Sequence, residues 1–79
     1  MTEAAEHFLD TTGLRCPEPI MLLHGKLRQM KVGERVLVVA TDPSTQRDIA
    51  KLCHFLNHEL LSQRQEADTY RYIIKKASV

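Results

Sequence analysis

The segment Gly13-Leu14-Arg15-Cys16-Pro17-Glu18-Pro19 carries the residues best suited to chemistry in this chain. Proline disfavours helical geometry in the residue before it, so Pro17 places Cys16 just outside a helix, at the N-cap. Pro17 itself fits the first helical position, and Pro19 still lies in the first turn, where a missing N–H is harmless. The two prolines therefore predict that the first long helix begins at Pro17, with the Cys16 sulfur at its N-terminus.

A cysteine in this position is predicted to be a reactive thiol. A helix N-terminus favours an anion by roughly 0.3–1 kcal/mol, and cysteines there can have pKa values lowered to about 3.5–7.5. The N–H groups of Glu18 and Ile20 point toward this end and Arg15 adds positive charge, whereas the Glu18 carboxylate acts in the opposite sense. We expect a moderately lowered pKa and an exposed thiolate that could also carry a persulfide anion. The alternative is a tolerated N-cap, although Ser, Thr, Asp and Asn are the preferred caps.

The other cysteine and the histidines indicate no second site. Cys53 lies on an apolar helical stripe beside Leu52 and is predicted to be a core residue. A bridge between Cys16 and Cys53 is disfavoured in the cytoplasm, and a nearby thiol would attack a persulfide and release its sulfur. His54 and His58 lack the paired-ligand spacing of zinc sites, and His58 fits a helix end, where it can interact with the dipole. We therefore predict no metal and no cofactor.

Length and charge favour a small protein with its chemistry at the surface. The chain has 79 residues and a formal charge of +1 with both signs mixed, which predicts one domain over residues 1–79. The basic stretch at residues 71–76 is interleaved with apolar residues and indicates a strand with a solvated edge, so direct nucleic-acid binding is not expected. No run approaches the ~20 apolar residues of a membrane span, and residues 1–7 do not resemble a signal peptide, which predicts a cytoplasmic protein without membrane contact.

Two segments have helical periodicity. The first spans residues 17–31, and its apolar stripe consists of Ile20, Leu23, Leu27 and Met30. Gly33 is placed to close this helix in a left-handed conformation. The second helix begins near residue 44, where either Asp42-Pro43 or a capping box of Thr45 with Asp48 provides the start. Its stripe consists of Ile49, Leu52, Cys53 and Leu56, and it is predicted to end near Asn57.

Four segments predict strands. They are a short stretch at Phe8 and Leu9 that ends at residues 11–13, then residues 36–40, 59–66 and 69–76. The unbroken apolar run at residues 36–40 is typical of a central strand or of one covered on both faces. Ala67 and Asp68 predict a tight turn that joins the last two strands. The order βαβαββ predicts the α+β class, as a two-layer α/β sandwich with both helices on one face of a mixed four-stranded sheet.

A Cys-Pro-x-Pro motif that opens a helix after Gly-Leu-Arg resembles the TusA/SirA family of sulfur-transfer proteins. Further matches cover about residues 8–76 and favour the TusA branch; they are Asp42-Pro43, Thr45, Arg47-Asp48-Ile49, Phe55, His58-Glu59-Leu60 and Tyr70-Arg71-Tyr72. The resemblance implies a fold like the C-terminal domain of translation initiation factor 3. It also implies that Cys16 receives a sulfane sulfur from a cysteine desulfurase and passes it to a TusD-type subunit of a TusBCD relay, for 2-thiolation of wobble uridine in tRNA.

Three alternatives stay open beside this interpretation. A related carrier could supply sulfur oxidation or molybdenum cofactor assembly instead of tRNA thiolation. A binding module could use the Cys16 helix end for contact alone, without sulfur chemistry. An RNA-binding domain would share the fold, but fold does not imply function, and the near-neutral charge argues against phosphate contacts. In the sulfur-carrier interpretation Cys16 is acceptor and donor, Pro17 and Pro19 preorganise it, and Arg15 is a candidate for partner docking.

Overall fold

The computed structural model describes residues 5–78 of the chain. Its elements are β1 (His7–Thr11), α1 (Glu18–Gln29), β2 (Arg35–Ala40), α2 (Thr45–Leu56), β3 (Glu59–Glu66) and β4 (Thr69–Lys75). This succession confirms the predicted order βαβαββ. Residues 1–4, which belong to the N-terminal stretch compared with signal peptides above, lie outside the described residues, as does Val79.

The four strands form one mixed sheet in the order β1-β2-β4-β3. β1 and β2 run parallel, while β4 pairs antiparallel with β2 on one side and with β3 on the other. β2 therefore lies between two strands, which confirms the central position predicted from its apolar run. Because β1 and β2 are parallel, the loops that leave their carboxyl ends emerge at the same edge of the sheet.

β4 is also an interior strand, which corrects the prediction of a solvated edge at residues 71–76. The β3–β4 hairpin places its second strand against β2, so β4 is covered from both sides. Ile73 and Ile74 point to opposite faces, yet both are buried. Lys76, just beyond the strand, is buried as well, and its Nζ donates a hydrogen bond of 2.7 Å to the carbonyl of Met30. Basic residues interleaved with apolar ones did not distinguish an edge strand from an interior one.

Both helices pack on the same face of the sheet, which confirms the predicted two-layer sandwich. Along β2 and β4 every second side chain points to one face, and these side chains join buried residues of both helices in a single cluster. The cluster consists of Leu23, Leu27, Met30, Val36, Val38, Ala40, Ile49, Cys53, Tyr70, Tyr72 and Ile74. Most of both predicted helical stripes is therefore core, with Ile20, Leu52 and Leu56 only partly buried.

The first helix ends earlier than predicted. α1 stops at Gln29, and Met30 follows as a C-cap in an extended conformation. Gly33 does have a positive φ of 97°, but it lies in a separate turn in which the N–H of Glu34 donates to the carbonyl of Lys31 at 3.0 Å. The glycine therefore closes the turn before β2 and does not cap the helix.

The start of α2 also differs from the predicted capping box of Thr45 with Asp48. The N-cap is Ser44, and no side chain caps the first turn. Thr45 is buried, and its Oγ1 donates to the carbonyl of Asp42 at 2.7 Å and lies 2.8 Å from the hydroxyl of Tyr72. The threonine thus ties α2 to the sheet. At the other end, Asn57 takes the left-handed conformation with φ of 61°, which confirms the predicted end of this helix.

The break after β1 begins one residue later than predicted. Thr11 is the last residue of the strand and is fully buried, with its Oγ1 donating to the carbonyl of Val39 at 2.8 Å. Gly13 then turns the chain with a φ of 81°, a conformation that favours glycine. Within the described part of the chain, neither helix is long and apolar enough to cross a bilayer.

Candidate functional site

Cys16 lies in the loop between β1 and α1, which is held against the loop between β2 and α2. The backbone N–H of Gly13 donates to the Oγ1 of Thr41 at 2.8 Å, and the backbone N–H of Cys16 donates to the Oδ2 of Asp42 at 2.7 Å. These contacts join the carboxyl ends of the two parallel strands. They fix the position of the Cys16 backbone while its side chain stays exposed, as predicted.

The helix begins one residue later than predicted, so Cys16 is not its N-cap. Pro17 is the N-cap and Glu18 is the first helical residue. Residues 15–18 form a turn in which the N–H of Glu18 donates to the carbonyl of Arg15 at 2.8 Å, and the Cys16–Pro17 peptide bond is cis. The N–H of Glu18, predicted to point toward the cysteine as a free donor, is thus already bonded, and Pro19 has none. The helix end is a weaker anion site than its sequence indicated.

The pKa of the Cys16 thiol is raised above its ordinary value, which corrects the predicted activated thiolate. Partial desolvation of the sulfur raises this pKa, and the nearby carboxylates of Asp48 and Asp42 raise it further. The guanidinium of Arg47 acts in the opposite direction. In the free protein Cys16 is therefore an exposed thiol, and its conversion to a nucleophile requires removal of the proton.

Asp42 is the carboxylate that organises the loop. Its two oxygens accept hydrogen bonds from the N–H groups of Ser44 at 3.0 Å and Cys16 at 2.7 Å. These bonds hold the pKa of Asp42 below its usual value, and the positive charge of Arg15 lowers it further. The Asp42 side chain therefore links the start of α2 to the cysteine loop as a carboxylate.

The predicted supporting residues have different surroundings. Arg15 is exposed and its charge acts on Asp42. Glu18 and Pro17 are exposed beside the cysteine, whereas Pro19 is fully buried and anchors the start of α1. The structure brings these residues around Cys16, but the charges that act on the sulfur are those of Asp48, Asp42 and Arg47, in the β2–α2 loop and the first turn of α2.

An apolar groove opens beside the Cys16 sulfur, between the starting turn of α1 and the exposed side of α2. Its lining residues are Cys16, Pro17, Ile20, Asp48, Lys51, Leu52, His54 and Phe55. Phe55 is 83% exposed, and Met21 and Leu22 on α1 are also exposed. Large apolar side chains at the surface are typical of protein-contact sites when they lie together. The groove leaves the sulfur open to a macromolecular partner.

Cys53 and the histidines are placed as core and helix-end residues. Cys53 is buried, and burial raises the pKa of its thiol to about 11; both cysteines are free. The Nδ1 of His58 accepts a hydrogen bond from the N–H of Ala77 at 3.2 Å, and burial with nearby positive charge lowers its pKa. The hydrogen bond from Ala77 and the lowered pKa of His58 both argue against the charge–dipole contact predicted for this residue. In residues 5–78 no group of three or more His, Cys, Asp or Glu side chains could hold a metal.

Sequence reasoning missed Asp42 and Asp48 as neighbours of the cysteine. Both lie 26 or more residues from Cys16, and they were interpreted as helix-start signals and as family matches, not as neighbours of the cysteine. One signal could have found Asp42: it follows the strand parallel to β1, and parallel strands bring their carboxyl-end loops together. The same reasoning would have placed Asp48 near Cys16, because Asp48 lies in the first turn of α2, just after Asp42.

Comparison with known proteins identifies the family to which this chain belongs. A family model described as Sulfurtransferase TusA matches residues 7–76. A curated relative named Sulfur carrier protein TusA from Pseudomonas aeruginosa is 55% identical over 76 residues, which cover 96% of each chain. Another from Pseudomonas putida is 59% identical over 68 residues, covering 86% of this chain and 85% of the relative.

A solved structure supports the fold alone. The SirA-like protein from Desulfitobacterium hafniense superposes with a TM-score of 0.79 at 15% identity, covering 91% of this chain and 99% of that chain. The match of the family model over nearly the whole chain and the identity to the relatives decide the assignment. The chain belongs to the TusA family of sulfurtransferases, whose curated members are named sulfur carrier proteins.

Proposed function

We propose that this protein is a sulfur carrier that holds a sulfane sulfur as a persulfide on Cys16 and passes it to a protein partner. The observation that carries the proposal is the placement of the Cys16 thiol: exposed, fixed at its backbone, and open to an apolar surface groove. A sulfur that must be reached by two different proteins needs such a position. Family membership supports the same chemistry.

The donor and acceptor in this proposal are proteins. The donor is a cysteine desulfurase that presents a persulfide, and the acceptor is a TusD-type subunit in a TusBCD relay that leads to 2-thiolation of wobble uridine in tRNA. Residues 1–79 act as one carrier domain in the cytoplasm, without a cofactor and without direct contact to nucleic acid or membrane. Pro17 and Pro19 hold the turn that presents Cys16, and Arg15 and Glu18 flank the docking site as charged contacts.

Burial explains why one cysteine suffices. Cys53 is 2% exposed and lies in the core, so its thiol is kept away from a persulfide on Cys16. A second accessible thiol would attack the persulfide and release the sulfur as sulfide. Sequestration of Cys53 therefore protects the cargo during transfer between partners.

Loading with a cysteine desulfurase and free cysteine tests the proposal directly. We expect intact-protein mass spectrometry to show a gain of one sulfur atom that a reductant removes. Cys16→Ser abolishes the gain, whereas Cys53→Ser, the matched control at the buried cysteine, retains it. Labelling that persists in Cys16→Ser would contradict the assignment.

Thiolation of tRNA in cells tests the pathway separately. In a strain whose only copy carries Cys16→Ser, we expect 2-thiouridine to disappear from the tRNAs that normally contain it. If loading fails in this variant but thiolation persists, Cys16 carries sulfur for another route, such as sulfur oxidation or molybdenum cofactor assembly. Wild-type partner binding and wild-type cellular function in Cys16→Ser would instead favour a binding module.

A further inference from the structure

Asp48 faces the reacting sulfur from the second helix. It lies in the first turn of α2 and lines the same groove as Cys16. The negative charge of the carboxylate raises the pKa of the Cys16 thiol, and the Asp48 side chain is only 20% exposed. The Nε of Arg47 lies 3.4 Å from its Oδ1, which gives the carboxylate a neighbouring cation.

Sulfur transfer to a protonated thiol requires a proton acceptor. The thiolate is the nucleophile toward a disulfide or persulfide sulfur, so the proton of the Cys16 thiol must leave before or during the attack. A raised pKa of Cys16 means that the thiolate fraction near pH 7 is smaller than for an ordinary cysteine. A base in hydrogen-bond contact can remove the proton as the new bond forms, which makes a free thiolate unnecessary.

We infer that Asp48 is a catalytic residue of the transfer, whose carboxylate accepts the proton of the Cys16 thiol as the sulfur attacks the donor persulfide. This inference rests on the proposed function. It assigns to Asp48 a task that the predicted helix dipole and Arg15 do not perform in this structure.

The step balances without an oxidant or reductant. An electron pair of Cys16 Sγ forms a bond to the outer sulfur of the donor persulfide, and the bond between the donor's two sulfurs breaks, with its electron pair staying on the inner sulfur. The thiol proton moves to the Asp48 carboxylate and then to the donor thiolate that has been released. The products are a persulfide on Cys16, a donor thiol and the regenerated carboxylate. The outer sulfur keeps its oxidation state throughout.

The neighbouring groups are less suited to this task. The oxygens of Asp42 already accept hydrogen bonds from the N–H groups of Cys16 and Ser44. Arg47 and Lys51 are cations and cannot accept a proton at neutral pH. His54 also lines the groove, but it lies in the last turn of α2, whereas Asp48 lies in the first turn, close to the Asp42 carboxylate that holds the Cys16 backbone.

The test compares two reactions of the same sulfur in the full chain with Cys53→Ser as background. Loading is measured with glutathione persulfide, by rapid mixing and intact-protein mass spectrometry over a range of pH. Alkylation by iodoacetamide over the same range reports the thiolate fraction. Asp48→Asn removes the base, Asp48→Glu restores a carboxylate, and Asp68→Asn, at the exposed β3–β4 turn, controls for net charge.

If Asp48→Asn slows loading but speeds alkylation, Asp48 acts as a proton acceptor in the loading step. We expect Asp48→Asn to load about 100-fold more slowly at pH 7, near the lower end of what general acid–base catalysis contributes, and Asp48→Glu to recover most of the rate. Alkylation of Asp48→Asn becomes faster, because loss of the negative charge lowers the pKa of the thiol. Asp68→Asn behaves as the parent in both reactions.

Other outcomes overturn the inference. If Asp48→Asn loads as fast as the parent or faster, Asp48 only depresses thiolate formation. If loading and alkylation fall together, the substitution has displaced the sulfur and Asp48 is a structural residue. Both results leave the carrier function intact, whereas loading of Cys16→Ser would overturn the proposed function itself.

Discussion

At the scale of single residues, the site is a thiol whose backbone is fixed and whose proton is retained. Asp42 accepts a hydrogen bond from the N–H of Cys16, and the negative charge of Asp48 raises the pKa of the thiol. Both carboxylates oppose ionisation of the thiol, and the helix end offers little compensation because its first N–H is bonded within a turn. A carrier that stays protonated between encounters resists adventitious oxidation and alkylation, since these reactions follow the thiolate.

The pH dependence of alkylation tests this protonation state. In Cys53→Ser, Cys16 is the remaining thiol. We expect the pH at which its alkylation by iodoacetamide reaches half of the maximal rate to be higher in the folded protein than in the same protein unfolded in urea. The sign follows from the desolvation and the two carboxylates, which raise the pKa of the folded-state thiol. A midpoint pH at or below that of the unfolded protein would show that the helix N-terminus lowers the pKa of the thiol by more than desolvation and the carboxylates raise it.

Asp42→Asn tests the anchor of the loop. The pKa of Asp42 is lowered from the ordinary value of 3.8, chiefly by the N–H of Ser44 and the N–H of Cys16. A lowered folded-state pKa contributes stability that is present above the unfolded value and is lost as the pH falls through the folded value. We expect Asp42→Asn to be less stable at pH 7 and to lose part of its stability dependence below about pH 4.

Urea unfolding at several pH values measures this effect. Asp68→Asn, which removes an exposed acid from the β3–β4 turn, serves as the control for net charge. The interpretation of Asp42 as an anchor fails if both variants have the same stability as the parent at neutral pH and the same acid dependence.

At the scale of elements, the periodicity of apolar residues was sufficient to predict the helices and strands whose buried faces form the core. The apolar stripes of both helices and the run at residues 36–40 predicted the core, because a face that packs must be apolar at a fixed repeat. Helix ends were less predictable: Thr45 looked like part of a capping box but is buried against Tyr72. A hydroxyl can satisfy a helix end or a tertiary contact, and local sequence does not distinguish the two.

The contact between Thr45 and Tyr72 joins α2 to β4 and can be tested by Tyr72→Phe. Thr45 Oγ1 donates to the carbonyl of Asp42, so the Tyr72 hydroxyl is the donor in the 2.8 Å bond between them. Both side chains are buried. Removing the tyrosine hydroxyl leaves Thr45 bonded to Asp42, and we expect a loss of about 1 kcal/mol in the free energy of unfolding.

Thr45→Val provides the comparison for this contact. It removes the hydroxyl that serves two partners and leaves the Tyr72 hydroxyl and the Asp42 carbonyl without it, so its cost should exceed that of Tyr72→Phe. Urea unfolding of both variants measures the difference. Equal stability of Tyr72→Phe and the parent would show that the bond contributes nothing net.

At the scale of the whole molecule, the site arises from topology. The cysteine motif was found from the sequence because its prolines and cysteine are contiguous, whereas Asp42 and Asp48 join it only through the parallel pairing of β1 and β2. The fold class followed from the order of elements, but the strand order that makes β4 interior did not. Either strand of the β3–β4 hairpin could have paired with β2, and the periodicity of the side chains does not determine which of the two does so.

The two faces of the molecule predict where a protein donor binds. Phe55 is exposed in the groove beside Cys16, while Phe8 is exposed on the other face of the sheet, since its neighbour Leu9 packs toward the core. We expect Phe55→Ala to slow loading by a cysteine desulfurase while loading by glutathione persulfide stays near the parent rate, because the small donor needs only the sulfur.

Phe8→Ala is the matched control, and it should leave loading by both donors unchanged. Both phenylalanines are exposed, so truncation should change the free energy of unfolding by no more than about 0.5 kcal/mol, which separates a docking effect from a folding effect. Equal slowing by the two variants would place the donor elsewhere on the surface. Slowing with both donors in Phe55→Ala would mean that this ring positions the reacting sulfur instead of the partner. A selective loss with the protein donor would establish the helical face around the groove as the surface through which sulfur enters.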